Sequence, residues 1–263
     1  MPTHVSIGAL SINTYTFWIG LCAIVGVARI MWQGDLVWRD RVRTLDGALL
    51  IGLCALAAGR VGYLALNASY FVERPSDITL APAAGVSEQT AILGMLAGWR
   101  LTGRLSWAVR RPSALQLIAF ASLIGIGASI GCVSNACAYG HEVFWRDGVV
   151  WHLRVDWPDA YWRSNPRLPT QVFMVVWLVI CVGLTKWLTR GAQRANSILG
   201  HWLLWLSAGD FVLQFARADA MPTLLGLRAA QALDIVLFVI GYLAVRLDRR
   251  AGALSPSYRS EIL

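Results

Sequence analysis

The stretch Leu115–Cys132, LQLIAFASLIGIGASIGC, contains no charged residue and decides the fold class. A helix needs about 20 apolar residues to cross roughly 30 Å of hydrocarbon, and an open sheet cannot cross because lipid leaves its edges unsatisfied. Six further stretches have a similar length and apolar character: Leu10–Trp32, Thr44–Leu66, Ala83–Leu101, Thr170–Trp187, Ser197–Phe215 and Leu224–Leu247. The sequence therefore predicts an all-α, polytopic membrane protein with seven transmembrane helices. Residues 1–250 form one membrane domain, and residues 251–263 form a tail.

The composition of the whole chain agrees with this fold class. Hydrophobic residues make up 57% of the 263 positions and charged residues only 14%, whereas soluble domains carry about 25% charge. The net charge of +8 comes from cationic residues that cluster at the ends of the apolar stretches, where anionic lipid headgroups lie. We interpret this charge as membrane contact and expect no nucleic-acid partner.

The positions of the cationic residues predict the orientation. Positive residues favour the cytoplasmic side of a membrane, and the N-terminal segment before the first stretch has none. We therefore expect an extracytoplasmic N-terminus, a cytoplasmic C-terminus, an extracytoplasmic loop over residues 133–169, and residence in the cytoplasmic membrane of a bacterium. The cytoplasmic clusters are Arg39, Arg41 and Arg43; Arg100, Arg104, Arg110 and Arg111; Lys186, Arg190 and Arg194; and Arg249, Arg250 and Arg259.

Two cysteines lie at the predicted outer end of the fourth stretch, on either side of Asn135. Cys132 and Cys137 face an oxidising compartment in this topology, so they either form a disulfide or remain thiols. Their spacing is not a zinc pattern, and no second Cys or His pair accompanies them. We expect no metal and no cofactor.

Polar residues inside the apolar stretches are the strongest indication of a site. Ionisable groups at membrane depth are costly and usually face a cavity or one another. Asp210, Gln214 and Arg217 are spaced i, i+4 and i+7, so they share one helix face. Such groups can also serve only as hydrogen-bonding contacts between helices. Taken together, they favour a polar cavity that opens outward.

Three motifs, in this order, resemble the prolipoprotein diacylglyceryl transferases. They are GRVGY at residues 59–63, GCVSNACAYG at residues 131–140 and LPTQVF at residues 168–173. Tyr15 lies where this family has a tyrosine in its first span, and Phe215-Ala216-Arg217 resembles the end of its sixth span. The resemblance covers nearly the whole chain and also implies seven spans with the N-terminus outside.

This resemblance implies a reaction, its partners and a set of site residues. The family transfers the diacylglyceryl group of phosphatidylglycerol to the thiol of a lipobox cysteine in a preprolipoprotein signal peptide and releases glycerol-1-phosphate. Phosphatidylglycerol or another anionic phospholipid is thus an expected partner, with arginines that stabilise the phosphate. We expect Arg60, Asn135, Gln171 and Arg217 to converge on one outward-opening cavity. The implied catalytic residues are Tyr15, Gln89, Asn135 and Asp210, and the implied substrate-binding residues are Arg60, Tyr63, Gln171, Gln214 and Arg217.

The chain departs from the family pattern where the chemistry is expected. Gln89-Thr90-Ala91 stands where the family has His-Gly-Gly, and Ser129 stands in place of an arginine. Asp210 and Gln214 stand where the family has an arginine followed by a glutamate. Two readings remain: a divergent transferase, or a catalytically inactive relative that binds phospholipid or lipoproteins. A transporter is disfavoured because the sequence shows no internal repeat.

Overall fold

Helices dominate the computed structural model, which describes residues 3–7, 10–32, 37–80, 85–144, 149–190 and 194–253. Short antiparallel hairpins join β1 to β2, β3 to β4 and β5 to β6. The helices are α1 Thr14–Met31, α2 Trp38–Leu66, α3 Ala68–Glu73, α4 Asp77–Leu80, α5 Glu88–Arg104, α6 Ala114–Ser134, α7 Val149–His152, α8 Thr170–Leu188, α9 Ala195–Leu213 and α10 Ala229–Ala253, with a 3₁₀ turn at Gln214–Ala216. The strands are β1 His4–Ile7, β2 Leu10–Asn13, β3 Val155–Pro158, β4 Ser164–Arg167, β5 Thr223–Leu224 and β6 Leu227–Arg228.

Five helices in the described part of the chain are long and apolar enough to cross a membrane. These are α1, α2, α6, α8 and α10, with mean hydropathy of 1.5 to 2.0 over their most apolar windows. The protein is therefore a helical, multi-pass membrane protein. The helices α5 and α9 correspond to the third and sixth predicted stretches, but they are shorter or more polar than the other five.

The structure corrects the limits of three predicted stretches. The first helix starts at Thr14 rather than at Leu10, because the side chain of Asn13 accepts a hydrogen bond from the Tyr15 amide and caps the helix. The seventh starts at Ala229, after the β5–β6 hairpin. The third starts at Glu88, and residues 81–84 lie outside the described residues. Of the predicted tail, residues 254–263 also lie outside them.

Close helix packing brings α5 against α2 and places its first turn inside the bundle. Gly94 and Gly98 are four residues apart on the contact face of α5. A Cβ on Gly94 would collide with the backbone carbonyl of Cys54, and one on Gly98 would lie 3.0 Å from the Cα of Ile51. Small residues at this spacing allow helix backbones to approach closely.

The interior of the bundle forms around α9, which packs against α6, α8 and α10. Trp202 and Leu203 of α9 are 1% exposed, and they join Leu178 of α8, Ile118 of α6 and Leu237 of α10 in one cluster. This apolar cluster holds α9 in position. Asp210 and Gln214 then follow at the far end of the same helix, next to the first turns of α5 and α10.

Candidate functional site

A buried polar network connects α5 with the end of α9. The side-chain amide of Gln89 donates to Oδ2 of Asp210 over 2.8 Å, and the amide of Gln214 donates to Oδ1 over 3.2 Å. All three side chains are at least 95% buried. The structure thus brings together three of the residues that the sequence predicted for the site. Two of them, Gln89 and Asp210, are 121 positions apart in the chain.

An arginine–aspartate–arginine cluster continues this network toward the loop after α9. Arg217 donates from Nε and Nη2 to both oxygens of Asp219, and Arg228 donates to Asp219 Oδ1 over 2.9 Å. Arg228 also donates to the side-chain oxygen of Gln214 over 3.1 Å. Hydrogen bonds therefore run without a break from Gln89 to Arg217.

Charge in this cluster is only partly balanced. Burial alone would raise the pKa of the Asp219 carboxyl, but the hydrogen bonds and charge of Arg217, with the charge of Arg228, outweigh it and lower that pKa. Two guanidinium groups share one carboxylate, so the cluster keeps one net positive charge. The cluster can bind a phosphate, because each guanidinium has enough N–H donors for a second oxygen acceptor.

Next to this cluster lies a region of three carboxyl groups. Asp234 of α10 is 2% exposed, and its carboxyl lies beside the carboxyl of Asp210 and the carboxamide of Gln89. Its Oδ2 accepts no hydrogen bond in the described part of the chain. Glu88 lies within electrostatic range of Asp210 and Arg217. These carboxyl groups make the interior acidic next to the cationic cluster.

Glu88 lies in the first turn of α5, close to residues of several other helices. Its side chain is exposed, yet its Oε1 approaches Gly125 of α6, and Tyr15 of α1 lies within its electrostatic range. Residues from α1, α6, α9 and α10 therefore surround this exposed side chain. An exposed group with neighbours on all these helices lines a cavity rather than the outer surface.

Tyr15 and Asn135 lie on the opposite wall, where α1 meets α6. Asn13 connects them: its side-chain oxygen accepts from the Tyr15 amide over 2.8 Å, and its amide donates to Asn135 over 3.0 Å. A Cβ on Gly131 would lie 2.8 Å from the Cα of Tyr15, so only a glycine allows this close approach. Asn135 in turn donates to the Gly131 carbonyl.

A disulfide loop joins this wall to α8 and to Arg217. Cys132 and Cys137 form a disulfide, which decides between the two states that the sequence left open. Gln171 donates to the Cys137 carbonyl over 2.7 Å, and the backbone of Gly140 pairs with that of Arg217. Asn135, Gln171 and Arg217 are thus linked through this one loop, although each side chain has its own partner.

Arg60 and Tyr63 form a separate cluster on α2. Arg60 donates to the carbonyls of Gly85 and Ile78, over 3.2 and 3.0 Å, and its guanidinium lies 5.8 Å from the centre of the Tyr63 ring and 5.9 Å from that of Phe71. These contacts hold Ile78 of α4 and Gly85 against α2. They do not connect Arg60 to the Arg217 network.

Four residues of the site were not among those that the sequence assigned to it, although each left a signal. Glu88 precedes the expected catalytic position, and Asp219 follows Arg217 by two positions. Arg228 and Asp234 are ionisable groups near the start of α10. Ser129, which stands in place of a family arginine, is half-buried on α6. Among the described residues, the structure shows no cluster of metal-ligating side chains.

Comparison with known proteins shows similarity over nearly the full chain. A family model described as prolipoprotein diacylglyceryl transferase matches residues 2–247. A phosphatidylglycerol–prolipoprotein diacylglyceryl transferase of Bacillus velezensis is 25% identical over 267 residues, covering 98% of this chain and 95% of the relative. Relatives of the same name from Geobacillus kaustophilus and Synechococcus elongatus are 26% and 27% identical, covering 93% of this chain and 93% and 86% of their own lengths.

Proposed function

This chain belongs to the prolipoprotein diacylglyceryl transferase family, and we propose that it is a divergent member that transfers a diacylglyceryl group from a phospholipid to the thiol of a lipobox cysteine in a preprolipoprotein signal peptide. The observation that carries this proposal is the unbroken polar network from Gln89 to Arg217. It places hydrogen-bond donors and a net positive cluster at one end of the apolar bundle.

The chemistry requires one bond to form and one to break. The acceptor thiolate attacks the glycerol carbon that bears the phosphate, a C–S bond forms, and the C–O bond to the phosphate breaks. In the relatives named for phosphatidylglycerol, the headgroup leaves as glycerol-1-phosphate. Here Arg217 and Arg228 are the cations placed to stabilise a leaving phosphate, because their shared partner Asp219 neutralises only one of them.

The membrane arrangement that we propose has seven spans. The helices α5 and α9 join the five apolar ones, with their polar ends at the site, the N-terminus outside and the C-terminus in the cytoplasm of a bacterium. The arginine-rich ends of the intracellular loops support this orientation. A cysteine introduced at Ser106, between α5 and α6, should resist an impermeant thiol reagent in intact cells in a chain whose free cysteines are replaced; labelling from outside would contradict the topology.

A second candidate function is a non-catalytic protein that binds phospholipid or lipoproteins. One observation favours it: the Gln89 amide, at the position of the family's histidine, cannot accept a proton and is bound to Asp210. A general base typically contributes about 10²- to 10⁴-fold to a rate. Transfer from phosphatidylglycerol is therefore expected to be slow compared with that of other family members.

A transfer assay separates the two candidates. The purified full chain is incubated with labelled phospholipid and a lipobox peptide, and the thioether product is quantified by mass spectrometry. A slow signal that disappears when the peptide cysteine is replaced by serine supports the transferase. A triple variant, Gln89→His with Ser129→Arg and Asp210→Arg, should raise the rate if the site is only weakened. Absence of transfer from every phospholipid class would favour the binding protein.

A further inference from the structure

Among the described residues, the carboxyl groups around the central cavity form no direct ion pair, although Arg217 lies within electrostatic range of Glu88 and Asp210. Asp210 accepts hydrogen bonds from two amides, but Asp234 keeps a buried oxygen without a donor. Glu88 makes no hydrogen bond or ion pair among the described residues. A buried carboxyl oxygen without a donor, such as Oδ2 of Asp234, is unfavourable. Because the exposed carboxyl of Glu88 lies within electrostatic range of Asp234, this arrangement is suited to a ligand that supplies donors and positive charge.

The spacing of these acidic groups indicates what kind of ligand fits. The carboxyls are not grouped closely enough in the described part of the chain to hold one metal ion. An ammonium group has three donors and one positive charge, so it can serve separated acceptors such as Glu88 and Asp234. The cavity is bordered by the Arg217–Asp219–Arg228 cluster, which keeps one positive charge.

We propose that this cavity binds a phospholipid whose headgroup carries an ammonium group, with its phosphate at Arg217 and Arg228 and its ammonium at Glu88 and Asp234. This pairing rests on the proposed function for the lipid as donor, but the binding itself does not require catalysis. The uncharged glycerol headgroup of phosphatidylglycerol would leave the carboxyls unpaired. The presence of Asp210 where the family has a cationic residue, and the presence of Glu88, then have one common explanation. Both acidic side chains would suit a headgroup that carries a positive charge.

Lipid binding to the purified full chain tests this proposal directly. Native mass spectrometry in detergent compares phosphatidylethanolamine with phosphatidylglycerol of identical acyl chains. We expect the ammonium-bearing lipid to bind about tenfold more tightly or better, as for a desolvated charge pair. Soluble phosphoethanolamine should compete weakly. Equal affinity for both lipids, or tighter binding of the soluble compound than of the lipid, would overturn the proposal.

Substitutions at Glu88 test whether the preference for phosphatidylethanolamine over phosphatidylglycerol arises in the cavity. Glu88→Gln keeps the shape of the side chain and should remove most of the preference, whereas Glu73→Gln, on the exposed surface of α3, should leave it unchanged. Glu88→Lys should invert the preference toward phosphatidylglycerol, and a gain of binding cannot result from misfolding. If neither change at Glu88 alters the ratio, the proposal is wrong.

Failure of this proposal and failure of the proposed function give different results. Preferential binding of phosphatidylethanolamine with no transfer from any lipid would support the cavity and contradict the transferase. Transfer from phosphatidylglycerol, with equal binding of both lipids, would support the transferase and contradict the cavity. Transfer that is faster from the ammonium-bearing lipid would support both.

Discussion

Arg60 and Arg217 carry the same side chain and were predicted to share one role, but the structure places them in different surroundings. Arg60 donates to two backbone carbonyls and lies near two aromatic rings. Arg217 donates to a carboxylate that also binds Arg228. The first arrangement fixes a segment of chain, whereas the second forms part of a charge network. Residue type alone therefore did not determine the surroundings of these two arginines.

The largest expected effect is on activity, and it separates the two arginines. Arg217→Lys keeps the charge but loses the planar fork, so the transfer rate should fall about 10²-fold or more if Arg217 stabilises the leaving phosphate. Arg60→Lys should lower the rate less than tenfold, because its contacts hold backbone carbonyls. The transfer assay on both variants measures this difference. Equal losses would mean that both arginines serve the reaction.

The same comparison can be made through stability at Asp219. Asp219→Ala removes the one carboxylate between two guanidinium groups that are 19% and 16% exposed. Loss of one partner from a mostly buried pair should destabilise the fold by about 3 kcal/mol. Thermal unfolding in detergent measures the change. Asp156→Ala, at an exposed strand position, serves as the control and should change stability by less than about 0.5 kcal/mol.

The sequence predicted parts of the network because helix periodicity is local. The i, i+4 spacing of Asp210 and Gln214 correctly placed both on one buried face, where they are hydrogen-bonded. The prediction that Arg217 shares this helix face was wrong, because α9 ends at Leu213 and the backbone of Arg217 is extended. Asp219 and Arg228 could not be assigned in this way, because they meet across the β5–β6 hairpin, whose strands the apolar pattern did not indicate. The named partners of Arg60 are the carbonyl of Ile78 in the short helix α4 and that of Gly85 before α5, and periodicity does not predict either contact.

The apolar pattern predicted the helical membrane fold but not its polar ends. Seven long helices occur among the described residues near the predicted stretches, and five of them are clearly apolar enough to span. The start of the first helix was predicted too early in the chain, at Leu10 rather than at Thr14. The capping role of Asn13 depends on side-chain geometry, which the apolar pattern does not describe. Glu88 was not assigned to the site, since its surroundings depend on neighbours from four other helices.

Reduction of the disulfide should affect the Arg217 region and spare the Arg60 region. The Cys132–Cys137 bond closes a loop whose backbone pairs with Arg217 at Gly140. Closing a loop of this size stabilises a fold by about 2 kcal/mol in the chain-entropy model. Replacement of both cysteines by serine should lower the unfolding temperature and increase hydrogen exchange around residues 216–218. Unchanged exchange there, with faster exchange around Arg60, would reverse the comparison.

The smallest expected effect is a loss of stability in acid that depends on Asp219. Its pKa is lowered in the folded protein, so folding favours the ionised form. This contribution is present above the ordinary aspartate pKa and is lost as the pH falls through the lower folded value. We therefore expect the contribution of Asp219 to stability to be constant near neutral pH and to decline below about pH 4. The unfolding temperature in detergent, measured from pH 7 to pH 3, reports this decline.

Asp159 must be separated from Asp219 in that measurement, because both lose stabilising charge in the same pH range. The backbone amide of Arg163 is the main cause that lowers the pKa of Asp159, with help from the amide of Tyr161 and the charge of Arg167. Asp219→Asn and Asp159→Asn should each reduce the acid dependence by its own share. Arg60 donates to the backbone carbonyls of Gly85 and Ile78, so Arg60→Gln should reduce the acid dependence less than Asp219→Asn does. If the dependence of the unfolding temperature on pH disappears with Arg60→Gln and persists with Asp219→Asn, then the charges around Arg60, and not those around Arg217, determine the stability in acid.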